Sequence, residues 1–156
     1  TETGVPLGYV DKVGGQDELV FDGGSFVLNS DCSLAAQAPP WREATLITEW
    51  QRGEDGRWRC TPGEMAPPPE GLDAIYSAMV LGLRDYVQKN GFPGIIIGMS
   101  GGIDSGLSAA VAVDALGADN VHAVMMPSPY TSQESLEDAE EAARLMGIRY
   151  DSVGIE

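Results

Sequence analysis

The chain has 156 residues, 24 of them Asp or Glu and 9 Lys or Arg, which gives a formal net charge of −15 at pH 7. An excess of that sign repels a polyanionic duplex and an anionic bilayer surface, so neither nucleic acid nor membrane is an expected partner. No apolar run approaches the roughly 18 residues needed to cross a bilayer, and Cys32 and Cys60 lack metal-site or disulfide-scaffold spacing, which fits a reducing compartment and makes the cytoplasm the expected location.

The first fifty residues read as β structure. Segments 4–10, 19–29, 34–38 and 44–50 are short and apolar, separated by Gly, Asp, Ser and Pro clusters of the kind that mark turns. Residues 51–70 then lose periodicity, and Pro67 to Pro69 favour an extended backbone, which predicts a linker. The expected organisation is therefore 1–50, a β-rich portion; 51–70, a linker; and 71–156, an α/β portion.

Beyond the linker, Leu72, Ile75, Tyr76, Met79, Leu83 and Val87 recur at steps of three and four, which predicts one apolar helical face. Gly91 and Pro93 end that helix. Ile95 to Ile97 form a continuous apolar run, the pattern of a strand buried on both faces of a parallel sheet. A small-residue helix over 105–117 and a strand over 120–126 complete a βαβ unit. Thr131 and Glu134 have capping-box spacing ahead of an amphipathic helix over 133–146, with Leu136, Ala139, Ala143 and Met146 facing inward. Residues 148–153 predict a third strand, so the fold class is α/β with a partial parallel sheet.

The stretch Gly98-Met99-Ser100-Gly101-Gly102-Ile103-Asp104-Ser105 is the candidate site. A Walker A loop needs lysine before its hydroxyl residue, and Leu107 stands there; a dinucleotide fingerprint needs glycine where Ser100 lies. What remains is a glycine-rich loop at the carboxyl end of a parallel strand, opening into a helix. Missing side chains at Gly101 and Gly102 admit a bulky anion to the backbone, and first-turn amides with the helix dipole behind them would cup a pyrophosphate. The blander reading is a tight strand-to-helix turn in which Asp104 merely caps the helix. A carboxylate beside phosphates implies a cation between them, so Asp104 is the expected magnesium ligand, with ATP arriving as its Mg²⁺ complex. Between Lys89 and Arg144 there is no Lys or Arg, so further cations are expected from more chain or another subunit.

The residues "SGGIDS" (100–105) after an apolar strand resemble the PP-loop of the N-type ATP pyrophosphatases, which cleave ATP to AMP and pyrophosphate. Within that group residues 94–148, and "MPSPYTSQES" (126–135) above all, resemble the NAD⁺ synthetases. Residues 4–50, including "YVDKVGGQDELVFDGGSFVLNSD" (9–31), are similar to the carboxyl-terminal β portion of the nitrilase-type glutaminase domain in the glutamine-dependent branch of that family, apart from Asp11 where asparagine is more usual. The resemblance implies a nitrilase-like tail, a linker and the first part of a Rossmann-like ATP-binding domain, hence a middle piece of a longer enzyme, inactive in isolation. It also implies the reaction: deamido-NAD⁺ is adenylated by ATP, pyrophosphate leaves, and ammonia from glutamine displaces AMP.

Carried over residue by residue, the resemblance puts Gly98 to Ser105 around the ATP phosphates and Asp104 on magnesium, with Met126, Ser128 and the 130–132 stretch including Ser132 as further nucleotide contacts. It implies a homo-oligomer for the full-length enzyme. The glutaminase Glu, Lys and Cys have no counterparts here, so Cys32 and Cys60 are expected to be incidental, and His122 to be a strand residue. Trp41, Trp50 and Trp58 are expected to pack rather than stack on bases. The alternatives are another PP-loop enzyme, an amidotransferase or tRNA thiolase, and a truncated binding module without turnover.

Overall fold

A computed structural model describes residues 4–155. They divide into two compact units, one running to Ala78 and the other from Met79.

In the first unit β1 (Leu7–Tyr9), β4 (Phe26–Leu28) and β5 (Leu34–Gln37) form an antiparallel sheet in the order β1-β4-β5, and β2 (Val13–Gln16) pairs with β3 (Leu19–Asp22) as a hairpin. Its tight turn places Asp17 at φ 51°, a left-handed conformation that aspartate tolerates better than most side chains. The strand at 13–16 was not among the expected ones, because paired glycines hide its β character. Conversely, residues 44–48 form no strand despite their β-branched composition; Ile47 is 91% exposed, and backbone pairing begins only at Glu49, whose carbonyl accepts from Thr61 N at 2.8 Å. Within 51–70, where the sequence suggested no regular structure, β6 (Trp50–Arg52) and β7 (Trp58–Cys60) form a second hairpin. Asp55 closes it: its carboxylate accepts from Arg57 N at 3.1 Å and pairs with Arg59 at 2.6 Å, which holds its pKa down to about 2. Trp50 and Trp58 stand exposed on this hairpin rather than packed.

Helix α1 (Gly71–Lys89) contains the boundary between the units. It ends as expected, with Gly91 at φ 68°. Its buried residues are Leu81 and Val87, whereas Leu72, Ile75 and Met79 of the expected face are exposed. A helix with Met79, Val80, Leu81 and Leu83 close together carries more than one apolar stripe, and packing selects between them.

The second unit is a three-stranded parallel sheet, β8 (Ile95–Met99), β9 (Val121–Met125) and β10 (Arg149–Ser152), in the order β10-β9-β8. Helix α2 (Ile103–Leu116) connects β8 to β9, and α3 (Gln133–Met146) connects β9 to β10. The core contains Met99, Val121, Ala123 and Met125 from the strands and Ala109, Ala112, Ala139 and Ala143 from the helices. Those four alanines are fully buried, so small side chains let both helices lie close to the sheet. Arg84 Nε donates to the Ala115 carbonyl at 3.1 Å, satisfying an acceptor in the last turn of α2. Burial in β9 alternates: Val121, Ala123 and Met125 are buried, while His122 and Val124 are only half-buried. Ile96 is 74% exposed, so the expected burial of β8 on both faces does not hold among the described residues; one sheet face carries the helices and the other is open. No helix of the described residues is long and apolar enough to cross a membrane.

Candidate functional site

Strands β8 and β9 run parallel in register, Ile95 opposite Val121 and Met99 opposite Met125, so their carboxyl ends finish side by side. This is the edge at which open α/β sheets bind ligands. Gly98, Met99, Ser100, Met125, Met126 and Thr131 line a cleft of about 300 Å³ there. Gly98 makes room for the neighbouring strand end: a Cβ on it would touch Met126 Cε at 3.5 Å.

Beyond Met99 the chain turns through Gly101 at φ 76° into α2. The N-cap of α2 is Gly102, in an extended conformation (φ −86°, ψ 161°), with no side chain capping the helix. Asp104 therefore does not fill the capping role of the bland reading; it lies within the first turn, exposed. The amides of Ile103 and Asp104, the first of the helix, have no carbonyl one turn back to bond, and together with the dipole they form a positive, anion-seeking end.

The two loop serines brace this turn. Ser105 Oγ donates to the Gly102 carbonyl at 3.0 Å and accepts from Ser100 N at 3.2 Å. Ser100 Oγ lies 3.1 Å from Ser105 Oγ and accepts from Gly102 N at 3.3 Å. Both hydroxyls are thus engaged by the loop's own backbone, Ser105 Oγ with the Ser100 amide and the Gly102 carbonyl and Ser100 Oγ with the Gly102 amide.

The second lip of the cleft follows β9. Val153 N donates to Met125 O at 2.8 Å and Ile155 N to Pro127 O at 2.9 Å, so pairing with the chain after β10 continues past the assigned strand ends and anchors Pro127. Ser128 to Thr131 then make a closed turn: Thr131 N donates to Ser128 O at 3.0 Å, Ser128 N to Thr131 Oγ1 at 2.9 Å, and Tyr130 N to Ser128 Oγ at 3.2 Å. Thr131 is thus part of the turn and not the helix cap that its spacing to Glu134 suggested. The cap of α3 is Ser132, whose Oγ accepts from Ser135 N at 3.2 Å. The capping register lies one residue later than expected because the Thr131 hydroxyl is already committed to Ser128.

Sequence reasoning passed over Ser135, although it stands three residues after Ser132, the spacing that a cap requires. The lips meet at this residue. A Cβ placed on Gly101 would collide with the Ser135 main chain, reaching its carbonyl oxygen and lying 2.8 Å from its Cα. The loop after β8 therefore abuts the first turn of α3 backbone to backbone.

Of the residues singled out in the sequence, Gly98, Met99, Ser100 and Met126 line the cleft itself. Gly101, Gly102, Ile103, Asp104 and Ser105 form the turn and helix start that follow it, and Ser128 and Ser132 lie in the facing turn and cap. His122 is a half-buried strand residue, with Nε2 2.7 Å from Asp151 Oδ2. That ring first, and then Arg149, hold the Asp151 carboxyl below the usual carboxylate range. Cys32 is exposed and Cys60 buried, both as free thiols.

A magnesium ion fits the residues at the loop only in a particular way. Among the described residues no three His, Cys, Asp or Glu side chains gather into a cage. Asp104 instead offers one exposed carboxylate at the amide-rich end of α2, and Mg²⁺ is commonly held by one or two carboxylates together with substrate phosphates and water.

Residues 75–156 match the family model described as NAD synthase. The chain is 54% identical over 155 residues to a glutamine-dependent NAD(+) synthetase of Rhodobacter capsulatus, covering 99% of this chain and 28% of that protein. It is 49% identical over 146 residues to the enzyme of the same name from Acinetobacter baylyi, covering 94% of this chain and 26% of that protein. The solved glutamine-dependent NAD⁺ synthetase of Acinetobacter baumannii, in complex with ADP, superposes with a TM-score of 0.92 at 48% identity, covering 99% of this chain and 29% of that one. The chain thus spans between a quarter and a third of the length of these relatives. With its parallel sheet, its glycine turn and more than half of its residues inside the match, the chain belongs to the NAD synthase family.

Proposed function

We propose that this chain is the part of a glutamine-dependent NAD⁺ synthetase that carries the ATP phosphate loop, and that the enzyme amidates deamido-NAD⁺ to NAD⁺ with release of AMP and pyrophosphate. The observation that carries this reading is the uncapped start of α2 directly after the cleft at the carboxyl ends of β8 and β9. The names of the relatives, and the ADP bound to the Acinetobacter baumannii protein, support it.

In this reading the amides of Gly101, Ile103 and Asp104 hold the leaving pyrophosphate, because backbone donors fixed before reaction stabilise developing negative charge without reorganisation. Gly102, whose Cβ position is crowded only by Ser100 Oγ at 3.3 Å, leaves the phosphates space to approach the backbone. Met126 and the Ser128–Ser132 segment form the nucleotide side of the cleft. Asp104 holds magnesium, which when bound neutralises phosphate charge. No lysine or arginine lies between Lys89 and Arg144, so the remaining cationic partners of ATP come from outside this stretch. Residues 4–50 are read as the end of a nitrilase-like domain that supplies ammonia from glutamine, in a cytoplasmic homo-oligomer.

The test is AMP formation by the full-length enzyme with deamido-NAD⁺, ATP, Mg²⁺ and glutamine. Asp104→Asn should abolish AMP formation and leave glutamine hydrolysis measurable. Normal amidation by that variant would remove Asp104 from the metal site, and no nucleotide turnover by the wild-type enzyme would remove the reading itself.

A further inference from the structure

Ser132 has hydrogen-bonding commitments that a direct nucleotide contact does not explain. Its Oγ accepts from Ser135 N at 3.2 Å and donates to Ser135 Oγ at 2.9 Å, so its single donor and one of its acceptor lone pairs are turned toward one residue. Its carbonyl accepts from Leu136 N at 3.3 Å, the first bond of the α3 ladder. Ser135 is the residue against which Gly101 is packed so closely that no side chain fits between them. Position and orientation of the first turn of α3 are therefore transmitted to the glycine turn without an intervening flexible side chain. On the other side, Ser132 follows directly on the turn closed by Ser128 and Thr131.

We propose that Ser132 is a positioning residue of the phosphate loop. By capping α3 it fixes the Ser135 backbone, which in turn sets the path of Gly101 and the aim of the amides that follow. The inference rests on the reading of residues 98–105 as the ATP site, and it replaces a contact of Ser132 with nucleotide by an action through the helix cap. Of the capping side chains, asparagine can reproduce the acceptor that Ser132 supplies, whereas alanine cannot.

Two measurements on the full-length protein test this. In the absence of nucleotide, amide hydrogen exchange at Ser100, Gly102 and Gly106, whose N–H groups are hydrogen-bonded within the loop, should accelerate in Ser132→Ala and return to the wild-type rate in Ser132→Asn. In calorimetric titration with ATP and Mg²⁺, Ser132→Ala should bind about fivefold more weakly, the order set by loss of one cap, and Ser132→Asn should recover to within about twofold of wild type. The proposal is overturned if exchange in the loop is unchanged by Ser132→Ala, or if Ser132→Asn binds ATP as weakly as Ser132→Ala, which is the behaviour of a direct hydroxyl contact. Should the wild-type protein bind no ATP, the nucleotide reading fails on its own, and the exchange measurement still decides the role of Ser132.

Discussion

Gly101 and Gly102 are adjacent and identical in sequence, yet replacing each by alanine should have different consequences. At Gly101 the backbone is left-handed (φ 76°), which costs an L-residue about 1–2 kcal/mol. The added Cβ would also lie 2.8 Å from Ser135 Cα, backbone that cannot rotate away, and overpacking of this kind costs about 1–3 kcal/mol more. The sum is about 2–5 kcal/mol for Gly101→Ala. At Gly102 φ is −86°, allowed for any residue, and the nearest atom is a hydroxyl oxygen at 3.3 Å that turns about one bond. Gly102→Ala should therefore change stability by less than about 1 kcal/mol, with the loss of unfolded-state freedom acting in its favour. Thermal and denaturant unfolding of the two full-length variants, followed by a probe in the second unit, measures the difference. Equal midpoints for the two would refute the argument that the loop is wedged against α3. The binding consequences differ in a complementary way: a methyl at Gly102 stands where phosphate is proposed to approach, so Gly102→Ala should lose ATP affinity while retaining its fold.

The remaining predictions concern the sheet and the helices behind it. Asp151, held below its ordinary pKa by His122 and Arg149, stabilises the fold at pH above the unfolded carboxylate value, and this contribution disappears as pH falls through the folded value. Asp151→Asn should accordingly lower the unfolding midpoint at neutral pH, and the gap from wild type should narrow toward pH about 3; a gap that widens on acidification would contradict the assignment. Ala139 is fully buried where α3 meets the sheet, so Ala139→Leu should destabilise by about 1–3 kcal/mol, whereas Leu145→Ala, on the exposed side of the same helix, should stay within about 0.5 kcal/mol by denaturant unfolding. Thr131→Val removes the acceptor of Ser128 N without a large change of shape and should raise amide exchange across residues 128–131.

The α/β half of the chain was more legible in sequence than the β half, for a physical reason. In the second unit each element carries its own periodicity and stop signal: the 133–146 helix coincides with α3, and Gly91 and Gly147 terminate helices in left-handed conformations. Short strands lack such internal evidence, because their stability comes from the edge they pair with. Residues 44–48 have the composition of a strand but no paired edge among the described residues, while Val13–Gln16 has the partner but not the composition. The glycine turn was legible because its residue types are unusual and its place in a βαβ unit is fixed. What the sequence left hidden was tertiary: the Thr131 hydroxyl turning back to Ser128, the cap passing to Ser132, and Gly101 lying against Ser135, a contact between residues far apart in sequence.

The central claim is that main-chain amides at the start of α2 hold the pyrophosphate portion of ATP. A crystal structure of the full-length enzyme with a non-hydrolysable ATP analogue and Mg²⁺ tests it most directly, through the distances from the β- and γ-phosphate oxygens to the nitrogens of Gly101, Ile103 and Asp104. At least two of these should fall within about 2.7–3.2 Å. Phosphates bound elsewhere, with those amides left facing water, would contradict the account.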